Sequence, residues 1–111
     1  MTDYSKMSDF EINTAVSMAM LTESKSPSSK YVVVNDYCNN PADAWPIIIE
    51  NGISIVRLDK NWLCAPIDEA IDGITGDSEV CFYASKGVVD NKPFRAAMIV
   101  FLMMQEKSNG G

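Results

Sequence analysis

The segment that most constrains the fold is an apolar run of nine residues, 96–104, within KPFRAAMIVFLMMQEK. Pro93 stands just before it, at the position where helices commonly begin, so the segment predicts a helix. On a helical wheel the apolar residues cover every side, which is typical of a helix buried on more than one face. Nine residues fall far short of the roughly 20 that span a bilayer. The rest of the chain must therefore surround this helix or share it with a partner.

Two arrangements would bury such a helix. Either the domain wraps it on all sides, or a sheet covers one face and a second copy of the chain covers the other. Exposure of large apolar side chains costs roughly 1.5–3 kcal/mol each. We therefore expect a homodimer whose interface contains Ile99, Val100 and Met103, with the fully wrapped helix as the alternative.

Composition limits the structure and the partners further. The chain has 111 residues, of which 47% are hydrophobic, enough for one domain with its own core. The net charge is −6, and the nine Lys and Arg residues are scattered. Since nucleic-acid binding depends on basic residues that neutralise phosphates, we expect no nucleic-acid ligand. The N-terminus lacks the apolar stretch of a secretion signal, so we expect a cytoplasmic protein without a membrane segment.

The residue types that most often perform catalysis are scarce. The sequence contains no histidine, which removes the commonest general base and the commonest zinc ligand. The three cysteines, Cys38, Cys64 and Cys81, lie far apart, as is typical of reduced thiols in a cytoplasmic protein. The sequence has no phosphate-binding loop and no dinucleotide fingerprint. We expect no cofactor, and a binding protein is favoured over an enzyme.

An acidic segment, DEAIDGITGDSE, partly matches a calcium-binding EF-hand loop. Asp68, Asp72, Gly73 and Glu79 occupy four of the required positions. Ala70 stands where the third ligand should be, and the flanking amphipathic helices are missing. We therefore expect no metal and predict a solvated turn.

Local signals predict helices near both ends of the chain and strands between them. Ser8 can cap the first helix, with Glu11 as its capping-box partner. Apolar residues then recur at helical spacing on one face: Ile12, Ala15, Val16, Ala19 and Met20. Strands are predicted at 31–35, 53–58 and 80–85, with a shorter extended segment within 60–67 after a turn at Asn61; loops are predicted at 21–30, 68–79 and 86–91, and a frayed tail at 107–111.

These elements predict one compact α+β domain spanning residues 1–111. An antiparallel or mixed sheet of about three to four strands should be flanked by the N-terminal and the C-terminal helix.

The stretch CNNPADAWPIII, residues 38–49, is the most unusual part of the sequence. Asn40 and Pro41 suit the cap and the first position of a helix, so we expect a helical turn there. Pro46 lacks an N–H and disfavours helical geometry at Trp45, so we expect the chain to break or restart at that point.

Two continuations remain after Pro46. A short helix could run over residues 46–51, with Gly52 as its left-handed stop. Alternatively, the isoleucines could form a strand that ends in a type I′ turn at Asn51 and Gly52. The paired prolines favour the helix.

Several segments resemble the NinX-like family of small bacteriophage proteins of unknown function. The matching pieces are MSDFEIN (7–13), residues 36–55, Trp62 and PFRAAMIVFLMM (93–104), about half of the chain. The resemblance implies an accessory gene product of a lambdoid-type phage or prophage that acts in the cytoplasm of the bacterial host. It implies no reaction, and it assigns no functional residue. It does direct attention to residues 43–46 and to the start of the last helix.

The candidate residues for binding a ligand or partner are Asn39, Asn40, Asp43, Trp45 and Arg95. Trp45 offers a large amphipathic surface, and Arg95 could reach a carboxylate from the first turn of the last helix. The structural interpretation of the same residues places Trp45 in the core and pairs Asp43 with Arg95.

Three functions remain open. The first is a non-enzymatic protein that binds an unidentified host or phage protein. The second is a small-molecule-binding protein or small enzyme with a pocket near Asp43, Trp45 and Arg95. The third and weaker one is an acidic nucleic-acid mimic, which requires the carboxylates to cluster on one face.

Overall fold

The computed structural model describes residues 3–23, 34–67, 72–75, 80–83 and 87–110. In chain order the elements are α1 (Asp9–Glu23), α2 (Pro41–Asn51), β1 (Ser54–Leu58), β2 (Asn61–Ala65), β3 (Asp72–Thr75), β4 (Val80–Tyr83), β5 (Val88–Asp90) and α3 (Pro93–Gly110). A short 3₁₀ turn, Tyr4–Lys6, precedes α1.

Helix α1 begins with the predicted capping box. The Glu11 N–H donates to Ser8 Oγ at 3.1 Å, and the Ser8 N–H donates to Glu11 Oε1 at 3.2 Å. The predicted apolar face is confirmed, since Ile12 and Val16 are fully buried and the other members of the face pack against the core. The helix continues to Glu23, so the first three residues of the predicted 21–30 loop are helical. The remaining loop residues lie outside the described ranges.

The strands form one antiparallel sheet and one separate hairpin. The sheet has the order β1-β2-β5, and the hairpin pairs β3 with β4. Leu58 pairs with Asn61, so Asn61 begins β2 and does not lie in the turn as predicted. The predicted α+β domain, with helices flanking a three-stranded sheet, is confirmed.

Helix α3 lies at the centre of the molecule. It packs against α1, α2 and the sheet, and residues 96–102 are all buried. The wrapped helix, given above as the alternative, is therefore the observed arrangement for this part of α3. Ile99 and Val100 are buried inside one copy of the chain, and Met103 is partly buried against the same core. The homodimer was expected because these side chains would otherwise be exposed, and the structure does not expose them. The oligomeric state itself stays a prediction.

Two predicted loops contain strands. Val88–Asp90 forms β5 and pairs with β2, so the loop predicted at 86–91 is wrong there. Asp72–Thr75 forms β3 and pairs with β4, so the loop predicted at 68–79 is wrong over residues 72–75, and its other residues lie outside the described ranges. A strand of three or four residues is shorter than the span over which an alternating pattern becomes visible. Both strands are instead selected by the neighbours with which they pair.

The remaining boundaries differ only locally. Val34 and Asn35 lie outside any strand, and residues 31–33 of that predicted strand lie outside the described ranges. β4 covers 80–83 of the strand predicted at 80–85, whose last two residues also lie outside those ranges. Helix α3 extends to Gly110, through most of the predicted tail. Among the described residues, no helix is long and apolar enough to cross a membrane.

Candidate interaction site

Helix α2 is built from the residues that the sequence marked as unusual. Asn40 caps it, since its side-chain oxygen accepts the Ala42 N–H at 3.0 Å. Gly52 ends it in the left-handed conformation with φ of 64°, as the helical continuation predicted. The hairpin alternative is therefore wrong.

The break predicted at Pro46 is also wrong, because α2 runs through this residue without interruption. Proline removes one hydrogen bond, which would otherwise join its nitrogen to the Ala42 carbonyl. Ala42 and Pro46 are both exposed, so water can satisfy the freed carbonyl. The opposite face of the helix buries Ala44, Ile47 and Ile48 in the core, and this burial outweighs the loss of one bond.

The outward side of α2 is apolar. Trp45 is 51% exposed, and Ile49, one turn later, is 62% exposed. We call the exposed apolar residues of this helix the outer face of α2: Pro41, Ala42, Trp45, Pro46 and Ile49. The interpretation that placed Trp45 in the core is wrong, because the core is filled by residues on the opposite side of the same helix.

The outer face has an acidic border. At 3.6 residues per turn, Asp43 and Glu50 fall on the same edge of the helix, about 10 Å apart along its axis. No basic residue occurs in α2. Within the described part of the chain, neither carboxylate takes part in an ion pair.

Ile67 lies beside the C-terminal end of the same helix. A Cβ atom built on Gly52 would lie 2.8 Å from Ile67 Cδ1, so the two residues are in direct contact. Ile67 is 73% exposed. Apolar surface therefore continues from α2 onto the segment that follows β2.

Arg95 lies in a second, mostly buried cluster and bonds to other carboxylates than Asp43. Its Nη1 donates to Asp9 Oδ1 at 2.8 Å, and its Nε donates to Asp90 Oδ2 at 3.1 Å. Its Nη2 donates to the backbone carbonyls of Tyr4, Ser5 and Met7. The Arg95 side chain is only 10% exposed, and each of its three nitrogens donates to at least one of these five acceptors. Arg95 therefore ties the start of the chain to α3.

Asn39 belongs to this second cluster as well. Its Nδ2 donates to Asp9 Oδ2 at 3.2 Å and to Asp36 Oδ1 at 3.1 Å. Buried Asn13 extends the network, because it donates to the same Asp36 oxygen and accepts the Cys38 N–H. Of the candidate residues, Asn39 and Arg95 thus meet at Asp9, whereas Asn40 caps α2 and Asp43 and Trp45 lie within it.

Asp9 is the residue that sequence reasoning missed. It accepts from Lys92 and Arg95 at the start of α3 and from Asn39 just before α2. The hydrogen bond from Lys92 is the main cause that lowers the pKa of Asp9, with smaller contributions from Asn39 and Arg95, against the opposing effect of burial. A first-turn aspartate after a capping serine carries no sequence signal for partners more than 80 residues away.

Cys38 and Cys64 are not suited to nucleophilic chemistry. Burial raises the pKa of the Cys38 thiol and of the Cys64 thiol to about 12. Both thiols are therefore protonated near neutral pH, whereas the thiolate is the reactive form. Among the described residues, no group of three or more Cys, Asp or Glu side chains is placed to hold a metal ion.

Two surface depressions lie away from the outer face of α2. One is open and lies beside α1, where Phe10, Asn13 and Asp36 contribute to its walls. The other lies between the start of the chain, β5 and α3. Neither depression is lined by Asp43, Trp45 or Arg95.

The fold and the site define a small α+β domain whose buried polar cluster supports the structure and whose outward helix is apolar. The family model described as "Bacteriophage P22, NinX" matches residues 3–105. The chain therefore belongs to this bacteriophage family, and the resemblance noted from the sequence is confirmed over nearly the whole chain. Comparisons with curated proteins and with solved structures found no match.

Proposed function

We propose that this phage protein is a non-enzymatic accessory protein that binds a host or phage protein through the outer face of α2, in the cytoplasm of the infected bacterium. The observation that carries the proposal is the exposure of Trp45 and Ile49, one turn apart on a helix whose other side is locked into the core. Large apolar side chains on a rigid element lose little conformational entropy on binding. Tryptophan is also one of the residue types that are enriched among those that dominate binding energy.

The exposed face favours a protein partner over a small molecule. The side of a helix is convex, whereas small-molecule sites are concave and enclose most of the ligand. A pocket near Asp43, Trp45 and Arg95 would need a guanidinium that is free to bind. Instead, Arg95 is 8% exposed and donates to two carboxylates and three carbonyls. The small-molecule hypothesis therefore ranks second.

The nucleic-acid mimic ranks third. A mimic needs a regular array of free carboxylates. Asp9 and Asp90 are instead neutralised by Arg95 and Lys92, and Asp36 accepts from two asparagines. These contacts remove part of the negative surface that a mimic would present.

The test is a capture experiment from a lysate of phage-infected bacteria. Three immobilised baits are compared: the wild type, Trp45→Ala, and Val89→Ala as the control. Val89 is also an exposed apolar residue, 54% accessible, but it lies on β5. We expect a protein that the wild type and Val89→Ala retain and that Trp45→Ala loses.

Two further measurements make the capture interpretable. Thermal unfolding of each bait must show an intact fold, and the captured protein must bind the purified wild type directly. Equal capture by the wild type and Trp45→Ala, or no specific capture at all, contradicts the proposed function.

A further inference from the structure

We propose that the partner presents a basic amphipathic helix, which packs along the outer face of α2 and places two Lys or Arg side chains beside Asp43 and Glu50. This inference rests on the proposed function and specifies the chemistry of the partner surface.

The apolar part of the surface has the dimensions of a helix-packing face. Helix α2 is 11 residues long, which corresponds to about 16 Å. Trp45 and Ile49 are separated by about 6 Å along the axis, the spacing at which side chains on a partner helix also recur. Ala42 and Pro46 beside them are small or compact. They allow a second helix to approach the backbone of α2 closely.

The acidic residues beside the apolar residues favour a partner whose surface is positively charged. Asp43 and Glu50 border one edge of the outer face, α2 contains no basic residue, and both carboxylates lack an ion-pair partner among the described residues. On a partner helix, two basic residues seven positions apart would match their spacing of about 10 Å. The net charge of −6 would also attract a basic partner at long range.

The same charges argue against two other occupants. An antiparallel two-fold contact between two copies would place both acidic edges of α2 on the same side and bring like charges together. A nucleic acid would bring phosphates against carboxylates. A basic helix is the occupant that satisfies both the apolar stripe and its acidic border.

The experiment uses the full-length protein and two synthetic 14-residue peptides. In the first, leucines form one stripe and lysines flank it with a spacing of seven residues. In the second, glutamates replace the lysines. Binding is measured by fluorescence anisotropy of labelled peptide at low and at physiological salt, and the contact surface is mapped by chemical-shift changes in the ¹⁵N-labelled protein.

We expect the Leu/Lys peptide to bind and to perturb α2, while the Leu/Glu peptide does not bind. Trp45→Ser should weaken binding at least about tenfold. Asp43→Asn and Glu50→Gln should each weaken it about two- to fivefold at low salt. Asp59→Asn is the matched control: it removes one exposed carboxylate from the turn between β1 and β2 and should leave the affinity unchanged.

Three results would overturn the inference. The Leu/Lys peptide does not bind, the Leu/Glu peptide binds equally well, or the three carboxylate variants weaken binding equally, as diffuse attraction to an acidic protein would. The capture experiment, with Asp43→Asn and Glu50→Gln added as baits, separates this failure from that of the proposed function. A partner that depends on Trp45 but is insensitive to Asp43→Asn and Glu50→Gln supports the function and rejects the basic helix.

Discussion

At the scale of single residues, Arg95 holds the largest number of contacts in the buried polar cluster. Replacing it by methionine leaves Asp9 and Asp90 without their guanidinium and removes one donor from each of three backbone carbonyls. Of these carbonyls, that of Tyr4 keeps the Met7 N–H as a donor. Removing one partner from a largely buried ion pair is strongly destabilising, so we expect Arg95→Met to lower the free energy of unfolding by about 3 kcal/mol. Arg95→Lys keeps the charge but loses the planar fork, and should be intermediate.

Urea unfolding followed by circular dichroism measures this effect. Arg57→Met is the control, because Arg57 is exposed and stacks 4.7 Å from the centre of the Trp62 ring. We expect it to cost less than about 1 kcal/mol. A similar loss in both variants would show that the cluster at Arg95 contributes no more than a surface contact.

Asp9 makes the free energy of unfolding depend on pH in the acidic range. Its pKa is lowered in the folded state, mainly by the hydrogen bond from Lys92. The folded chain therefore stabilises the ionised carboxylate of Asp9 relative to the unfolded chain. This contribution is fully present above the ordinary aspartate value of 3.8 and is lost as the pH falls through the lowered, folded-state value.

We expect the difference in unfolding free energy between the wild type and Asp9→Asn to be constant above about pH 5 and to shrink below about pH 4. Urea titrations across this range measure it. In a Lys92→Met background the main cause of the shift is removed, so the pH-dependent part should be smaller. A difference that stays constant down to pH 2.5 would contradict the linkage.

The sequence predicts contacts between residues that are close along the chain and not those between distant residues. The bonds between Ser8 and Glu11, and the cap at Asn40, join residues at most three positions apart, and a local pattern is enough to predict them. The bond between Arg95 and Asp9 joins residues 86 positions apart. It exists because α1 and α3 pack side by side, and no local pattern carries that information.

At the scale of elements, the end of α2 depends on one glycine. Gly52 has φ of 64°, and an added Cβ would lie 2.8 Å from Ile67 Cδ1 and 3.0 Å from Ile67 Cβ. The left-handed backbone alone costs an L-residue about 1–2 kcal/mol. We expect Gly52→Ala to lower the free energy of unfolding by at least that amount, with the steric contact adding to it.

A double-mutant cycle separates the two causes. Ile67→Ala alone should have little effect because Ile67 is largely exposed. In Gly52→Ala/Ile67→Ala, the side-chain atoms beyond Cβ are gone, so part of the loss should be recovered. If Gly52→Ala is as stable as the wild type, the helix end does not need its left-handed residue.

The elements predicted correctly are those with several agreeing local signals. α1 has a capping box and a periodic apolar face, and α3 has an N-terminal proline followed by a long apolar run. The sequence predicts α2 as a helical turn and a separate short helix, because proline normally interrupts a helix and a break is therefore expected at Pro46. Three buried residues on its inner side override that local preference. β5 was missed because three residues next to a glycine carry almost no pattern of their own.

At the scale of the whole molecule, the sheet, α1 and α2 are arranged around α3, and this arrangement decides which surfaces remain for partners. The inward sides of the surrounding elements pack against α3 and are not available to a partner. Exposed apolar side chains remain on the outer face of α2 and, more scattered, at Phe10, Met18, Val34 and Val89. The sequence showed an excess of apolar residues on α3, but only the packing shows that the domain itself absorbs this excess.

The central position of α3 also predicts how its substitutions behave. Val100 is 1% exposed, and its neighbours belong to the same copy of the chain. We expect Val100→Ala to lower the free energy of unfolding by about 2 kcal/mol, because it leaves a cavity in the core. The mass measured by sedimentation equilibrium should be the same as that of the wild type, whether this is 12.2 kDa or a multiple of it. Ile49→Ala, on the outer face of α2, is the control and should change stability much less, since Ile49 is largely exposed. A Val100→Ala protein that is reduced from dimer to monomer without loss of stability would place α3 at an interface between copies after all.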